Sequence, residues 1–160
     1  IALLCGPENV AIGGNRMEGY EKAMEANHLP AKTELIWHCS DFTVEAGKEA
    51  TRQLLSRQER PDAIFGITDD LAIGAIEAIK EKGLNIPEDI AVVGFANTKR
   101  SRYMNPTVSS INQFPEKIGR AAAELLFDQI LNSKHAQIKK EIINCELIVR
   151  ESSDRLCKTR

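Results

Sequence analysis

Asp69 and Asp70 stand side by side directly after the apolar run Ala63 to Ile67, a place where two carboxylates could hold a metal ion. Successive side chains at the start of a helix diverge, however, and this works against a shared ion. Asp69 taken singly sits at the carboxyl end of a strand, where open α/β sheets bind their ligands. It either faces such a ligand or caps its own helix. Gly6-Pro7 with Gly13-Gly14 ahead of a helix could cradle a phosphate on backbone N–H groups. The spacing fits neither GxGxxG nor a phosphate loop, and no Lys-Ser/Thr follows. No serine lies in a Gly-x-Ser-x-Gly elbow, and His28, His38 and His135 stand apart, as surface or loop residues do. Cys5, Cys39, Cys145 and Cys157 form no CxxC pair. They read as reduced thiols of a cytoplasmic protein, three of them in or beside strands where a thiol behaves as a small hydrophobe. No catalytic group, no metal and no cofactor is therefore expected.

The elements that must position these groups alternate. Ile1 to Cys5 is a short continuous apolar run, as in a strand buried on both faces. Arg16 to Asn27 places Met17, Tyr20 and Met24 on one helical stripe, with Asn27 as a left-handed stop before Pro30. Leu35 to His38 is the second strand. Thr43 caps a helix with Glu45 in its first turn and Val44, Gly47, Ala50, Thr51, Leu54 and Leu55 inward. After the Pro61-Asp62 turn, Ala63 to Ile67 is a strand. Thr68 caps a third helix that buries Leu71, Ala75, Ile76 and Ile79 and stops at Gly83. Ile90 to Phe95 is the fourth strand. Strands and helices repeating at about 30-residue intervals predict right-handed βαβ units, hence an α/β fold with a parallel sheet flanked by helices.

Beyond Phe95 the rhythm breaks. Residues 96–106 carry no period and read as a loop, and Thr107 to Asn112 is a short strand. Pro115 opens a helix with Ile118, Ala122, Leu125, Leu126 and Ile130 inward. Asn132 to Lys140 reads as a polar connector. Ile143, Cys145, Leu147 and Val149 alternate with polar residues, as in an edge strand, and 152–160 read as a frayed tail.

At 160 residues the chain is one domain's worth, with 42% apolar and 28% charged residues, an ordinary globular balance. The net charge of −2 gives no footprint for nucleic acid, and Lys99-Arg100-Ser101-Arg102 is only a brief positive cluster. No stretch approaches a membrane span, and no signal peptide precedes the first strand.

The series Pro87-Glu-Asp-Ile-Ala-Val-Val-Gly-Phe-Ala-Asn97, Tyr103-Met-Asn-Pro106 and Ser109-Ser-Ile-Asn-Gln113 resembles the effector-binding core of the LacI family of bacterial transcription regulators. Gly6-Pro7, Arg16-Met-Glu-Gly-Tyr20 and Thr68-Asp-Asp-Leu-Ala-Ile-Gly74 stand in the same order and spacing, so the resemblance covers essentially the whole chain. It implies the C-terminal part of a periplasmic-binding-protein-like core. Residues 1–106 and 134–160 would form the C-terminal subdomain, and 107–133 would cross to the N-terminal one. The DNA-binding headpiece and most of the first subdomain would be absent. The implied partners are a small-molecule effector, a second copy in a homodimer, and operator DNA only through the missing N-terminal domain, with no membrane.

The resemblance also implies site residues. Arg16 matches the effector-binding arginine of Arg-x-x-Gly-Tyr/Phe, whose five donors can hold hydroxyl or carboxylate oxygens; its alternative is a surface or helix-anchoring salt bridge. Phe42 matches an aromatic that stacks on rings, or plugs the core ahead of Thr43. Asp69 matches a typical family position, Thr68 replaces a frequent asparagine, and Val10 and Ile12 lie in a loop where some members present polar contacts. Ala96 replaces a frequent aspartate, which makes the pocket less anionic and an acidic sugar derivative or other anionic metabolite a better match than a neutral sugar. Val44, Arg102, Tyr103 and Met104 match regions of the family's dimer interface. The competing readings are a periplasmic sugar-binding protein of the same fold, decided by residues upstream of Ile1, and a Rossmann-like enzyme, disfavoured by the missing motifs.

Overall fold

The computed structural model describes residues 1–7, 9–131 and 138–155, with the backbone alone at residues 11 and 12. Along the chain run β1 (Ala2–Cys5), α1 (Ala11–Ala26), a 3-10 turn (Thr33–Leu35), β2 (Ile36–His38), α2 (Val44–Leu55), β3 (Ala63–Gly66) and α3 (Asp69–Glu81). There follow β4 (Ala91–Phe95), α4 (Lys99–Tyr103), β5 (Ser109–Asn112), α5 (Pro115–Leu131) and β6 (Glu146–Ile148). One six-stranded sheet has the order β2-β1-β3-β4-β5-β6. The first five strands are parallel and β6 is antiparallel. This is the α/β architecture that the alternating pattern predicts.

Helices α2 and α3 cover one face of the sheet. Their inward residues are those expected, from Val44 through Leu55 and from Leu71 through Ile79. Glycines set how close the layers come. A Cβ on Gly47 would lie 2.7 Å from Leu71 Cα, and one on Gly74 2.6 Å from the Lys48 nitrogen. A Cβ on Gly94 of β4 would lie 2.5 Å from Asp69 Oδ1, so α3 begins almost against the strand.

The opposite face carries α1. Tyr20 and Met24 are buried there, and Tyr20 Oη donates to the Ile1 carbonyl at 2.8 Å. Beside α1 the same face presents Phe65, Val93, Phe95, Ile111 and Leu147 along an apolar groove of about 990 Å³. Helix α5 stands away from the core. Of its residues only Ala121 is buried, and of the stripe expected to face inward Ile118, Ala122, Leu126 and Ile130 are exposed and Leu125 is half-buried.

Several elements differ from expectation. Helix α1 starts at Ala11 and not near Arg16, because Gly13-Gly14, expected ahead of the helix, lies within it. The left-handed residue after it is His28 (φ 55), whereas Asn27 has φ −100. The loop 96–106 contains α4, capped by Thr98, a helix too short to show a period. Strand β6 covers three residues of the longer alternation. The tail is tied down as far as it is described. Ser152 is fully buried, accepts from Ser109 N at 2.8 Å and donates to the Val92 carbonyl at 2.6 Å. Arg155 donates to the carbonyls of Pro87 and Asp62. His135 and Cys157 lie outside the described residues.

Candidate functional site

The carboxyl ends of β1 to β5 form one edge of the sheet, and the parallel register is what gathers the candidate residues there. Arg16, in the second turn of α1, reaches across this edge. Its guanidinium lies 3.8 Å from the centroid of the Phe95 ring at the end of β4, and its Nη1 donates to the Ile67 carbonyl just past β3. The side chain is half-buried. Among the described residues no carboxylate pairs with it, and burial holds its pKa below the usual arginine value. A cation drawn partly out of water without a counter-charge is electrostatically unsatisfied. It is complementary to an anion arriving at the open edge.

Phe42 packs half-buried against Gly6 at the end of β1; a Cβ on Gly6 would lie only 2.9 Å from Phe42 Cδ1. Behind it, Thr43 Oγ1 accepts from Ala46 N at 3.2 Å, and the Thr43 hydroxyl at 2.5 Å and N–H at 2.8 Å both donate to Asp41 Oδ1, which holds Asp41 below the ordinary carboxylate pKa. Val10 is the N-cap of α1 but offers no side-chain cap. Ile12 lies within the helix and not in a loop, and its side chain is outside the described residues.

Thr68 caps α3, accepting from Leu71 N at 3.3 Å. Asp69 is thereby released from that task and turns inward. It is 0% exposed, with Oδ2 accepting from Thr98 N at 2.7 Å and Oδ1 from Ser110 Oγ at 2.5 Å. Asp70 points out and lies 3.8 Å from Arg100. The two carboxylates diverge as expected of a helix start, and among the described residues no group of three or more His, Cys, Asp or Glu is placed to hold a metal ion.

Ala96 and Asn97 form a left-handed turn after β4, with φ 127 and φ 51. Three successive amides fix it: Ala96 N to the Ile111 carbonyl (3.0 Å), Asn97 N to Ser110 Oγ (2.9 Å), and Thr98 N to Asp69. Asn97 Oδ1 accepts from Arg150 Nη2 at 2.6 Å. Arg150 also donates to the Val108 carbonyl at 2.6 Å. Sequence reasoning missed Phe95, Asn97, Ser110 and Arg150. The two adjacent serines in an apolar strand were a signal; a contact spanning 53 residues leaves none.

The residues matched to a dimer surface separate. Val44 is buried, with its carbonyl against Gly74. Arg102 is exposed, Tyr103 is 86% exposed, and Met104 is partly buried against the core.

The description of the periplasmic binding protein-like domain matches residues 1–153. The chain is 38% identical over 134 residues to the HTH-type transcriptional repressor PurR of Proteus mirabilis, covering 84% of this chain and 39% of that protein. It superposes on a regulatory protein of the LacI family from Chloroflexus aggregans with a TM-score of 0.87 and 35% identity, over 95% of this chain and 54% of that one. The lac repressor dimer bound to operator and the anti-inducer ONPF gives a TM-score of 0.85 and 27% identity, over 95% of this chain and 51% of that one. The chain spans about two-fifths of the length of the curated relative it matches.

Proposed function

This chain belongs to the periplasmic binding protein-like family, in the form carried by LacI-type regulators, and we propose that it senses an anionic metabolite that controls operator binding by the whole protein. The observation that carries the ligand class is Arg16, half-buried, over the Phe95 ring and without a carboxylate partner among the described residues. A bidentate carboxylate would supply the missing counter-charge. Ala96, where the family often has an aspartate, removes one carboxylate that would repel the ligand from that edge. Val10, Phe42 and Thr68 would line the edge beside the first turn of α1, which carries Ile12, and Asp69 would hold its shape from behind.

In this reading the protein changes occupancy and not covalent bonds, and it acts in the cytoplasm. No helix among the described residues is long and apolar enough to cross a membrane. Residues 1–106 and 134–160 would belong to one subdomain and 107–133 would lead to the other, with β5 still paired to β4 in this sheet and α5 left to be covered by the first subdomain. The exposed pair Arg102 and Tyr103 would face a second copy, as the relative crystallised as a dimer on its operator encourages. DNA would be read by a separate N-terminal domain.

The test is a calorimetric titration of the protein with paired neutral and acid ligands, glucose against glucuronate and cellobiose against cellobionate. Binding confined to acids, and lost in Arg16→Met, is the expected result. Binding of neutral sugars alone, unaffected by Arg16→Met, would overturn the reading.

A further inference from the structure

The carboxyl edge has a support that neither the resemblance nor the relatives assign. Starting from the buried carboxylate of Asp69, an unbroken series of hydrogen bonds runs through Ser110 Oγ to Asn97 N, and from Asn97 Oδ1 to Arg150. These four residues belong to four elements: the start of α3, strand β5, the turn after β4, and the segment leaving β6. Arg150 closes the series. Its Nη2 holds the Asn97 side chain and its Nη1 holds the Val108 carbonyl. Its own backbone N–H donates to Ser109 Oγ at 2.7 Å, and that hydroxyl in turn donates to the Arg150 carbonyl at 2.9 Å. Both of these acceptors are neutral, so the guanidinium fixes geometry through its hydrogen bonds while the Asp69 carboxylate acts on its charge through space.

We propose that Arg150 is a positioning residue: it locks the left-handed turn Ala96–Asn97 to β5 and to the segment leaving β6, so that the ligand edge and the strand pair β5–β6 move as one body. The far ends of that pair, Asn112 and Glu146 in register, are where the chain leaves for α5 and returns from it. A shift of the turn on ligand binding would thus be delivered to the two connections between the sheet and α5. Differential contacts of this kind are what a coupling between two sites requires. The inference rests on the reading of this edge as the ligand site, but its test needs no ligand and fails separately from it.

The test is amide hydrogen exchange on the 160-residue chain, comparing wild type with Arg150→Gln, Asn97→Gly and the double variant. Glycine accepts the φ of 51 at position 97, so Asn97→Gly removes the acceptor without straining the turn. Both single variants are expected to speed exchange at Asn97 and Thr98 by about tenfold or more, the scale of losing one charge-assisted hydrogen bond. The double variant should add little beyond either, because both remove the same contact. Arg150→Lys, which reaches one acceptor, should restore part of the protection and serves if Arg150→Gln does not fold. If Arg150 merely fastens the end of β5, exchange will rise at Ser109 and Ser152 while Asn97 and Thr98 stay protected. That pattern, or strictly additive effects, would overturn the proposal.

Discussion

Arg16 sits over Phe95, with 3.8 Å between the guanidinium carbon and the ring centroid. The ring fixes the plane of a side chain that otherwise carries much rotamer freedom, and its face adds to the stabilisation of the cation. Phe95→Leu should keep the fold, because a leucine retains most of the apolar contact. It should weaken binding of an acid ligand about fivefold, the worth of an exposed cation–π contact. Titration calorimetry of the variant against wild type reads this directly; unchanged affinity would mean that the ring does not position Arg16.

The close approach of α2 and α3 gives a paired prediction. Gly74→Ala places a methyl group against the Val44 carbonyl and 2.6 Å from the Lys48 nitrogen, and backbone cannot step aside as a side chain can. The substitution should cost about 2–3 kcal/mol even after the gain in helix propensity. Gly19→Ala on α1 meets nothing within 4 Å and should stabilise by about 0.5–1 kcal/mol. Urea midpoints of the two variants should move in opposite directions.

Ala96 holds φ 127, a conformation that favours glycine. Ala96→Gly is expected to stabilise the chain by about 1 kcal/mol through release of that strain. A midpoint that falls instead would show that the turn's three amide bonds already absorb the cost.

Burial pushes the Cys5 thiol up to about 11 and the Cys39 thiol up to about 12. Both are buried, whereas Cys145 is exposed. At pH 8, alkylation followed by peptide mass analysis should mark Cys145 and spare Cys5 and Cys39 until unfolding. An unfolded thiol ionises near 9.0 while the folded one does not, so the folded state keeps protons that the unfolded state loses. Stability is full below pH 9.0 and falls as pH rises through about 11 and about 12.

The exposed stripe of α5 adds little to the stability of this chain. Phe127→Ser, at a residue 62% exposed, should change the unfolding free energy from urea titration by no more than about 0.5 kcal/mol. It should also reduce concentration-dependent self-association in sedimentation velocity, because contiguous exposed apolar surface drives such contacts.

The sheet was readable from sequence because its signals are local. Thr43 and Thr68 each announce a helix by type and by the acidic residues after them, and both cap as expected. The place of Arg16 at the carboxyl edge was readable too, but its partner was not, since nothing in the spacing of 16 and 95 forces a ring under a guanidinium. Asp69 misleads for a related reason. Its position before α3 fits a cap or a ligand contact, and its actual partners, Thr98 and Ser110, are fixed only once β4 and β5 pair in register. The α5 stripe had the period of a core helix. Period reports that a face is apolar, not that a neighbour is present to bury it.

The seam joining β5 to residues 150–153 is sewn by the hydroxyls of Ser109, Ser152 and Ser153. Hydroxyls neither gain nor lose charge in mild acid, and added electrolyte does not shield them. The outer surface of α2 and α3 is fastened differently, by Lys48 and Arg52 against Glu81, whose carboxyl these donors hold below its ordinary pKa. Acid strong enough to protonate Glu81 and Glu151, which accepts from Thr107 beside the seam, therefore relaxes both places, whereas brine weakens the ion pairs of α2 and α3 and leaves the serine stitches in place.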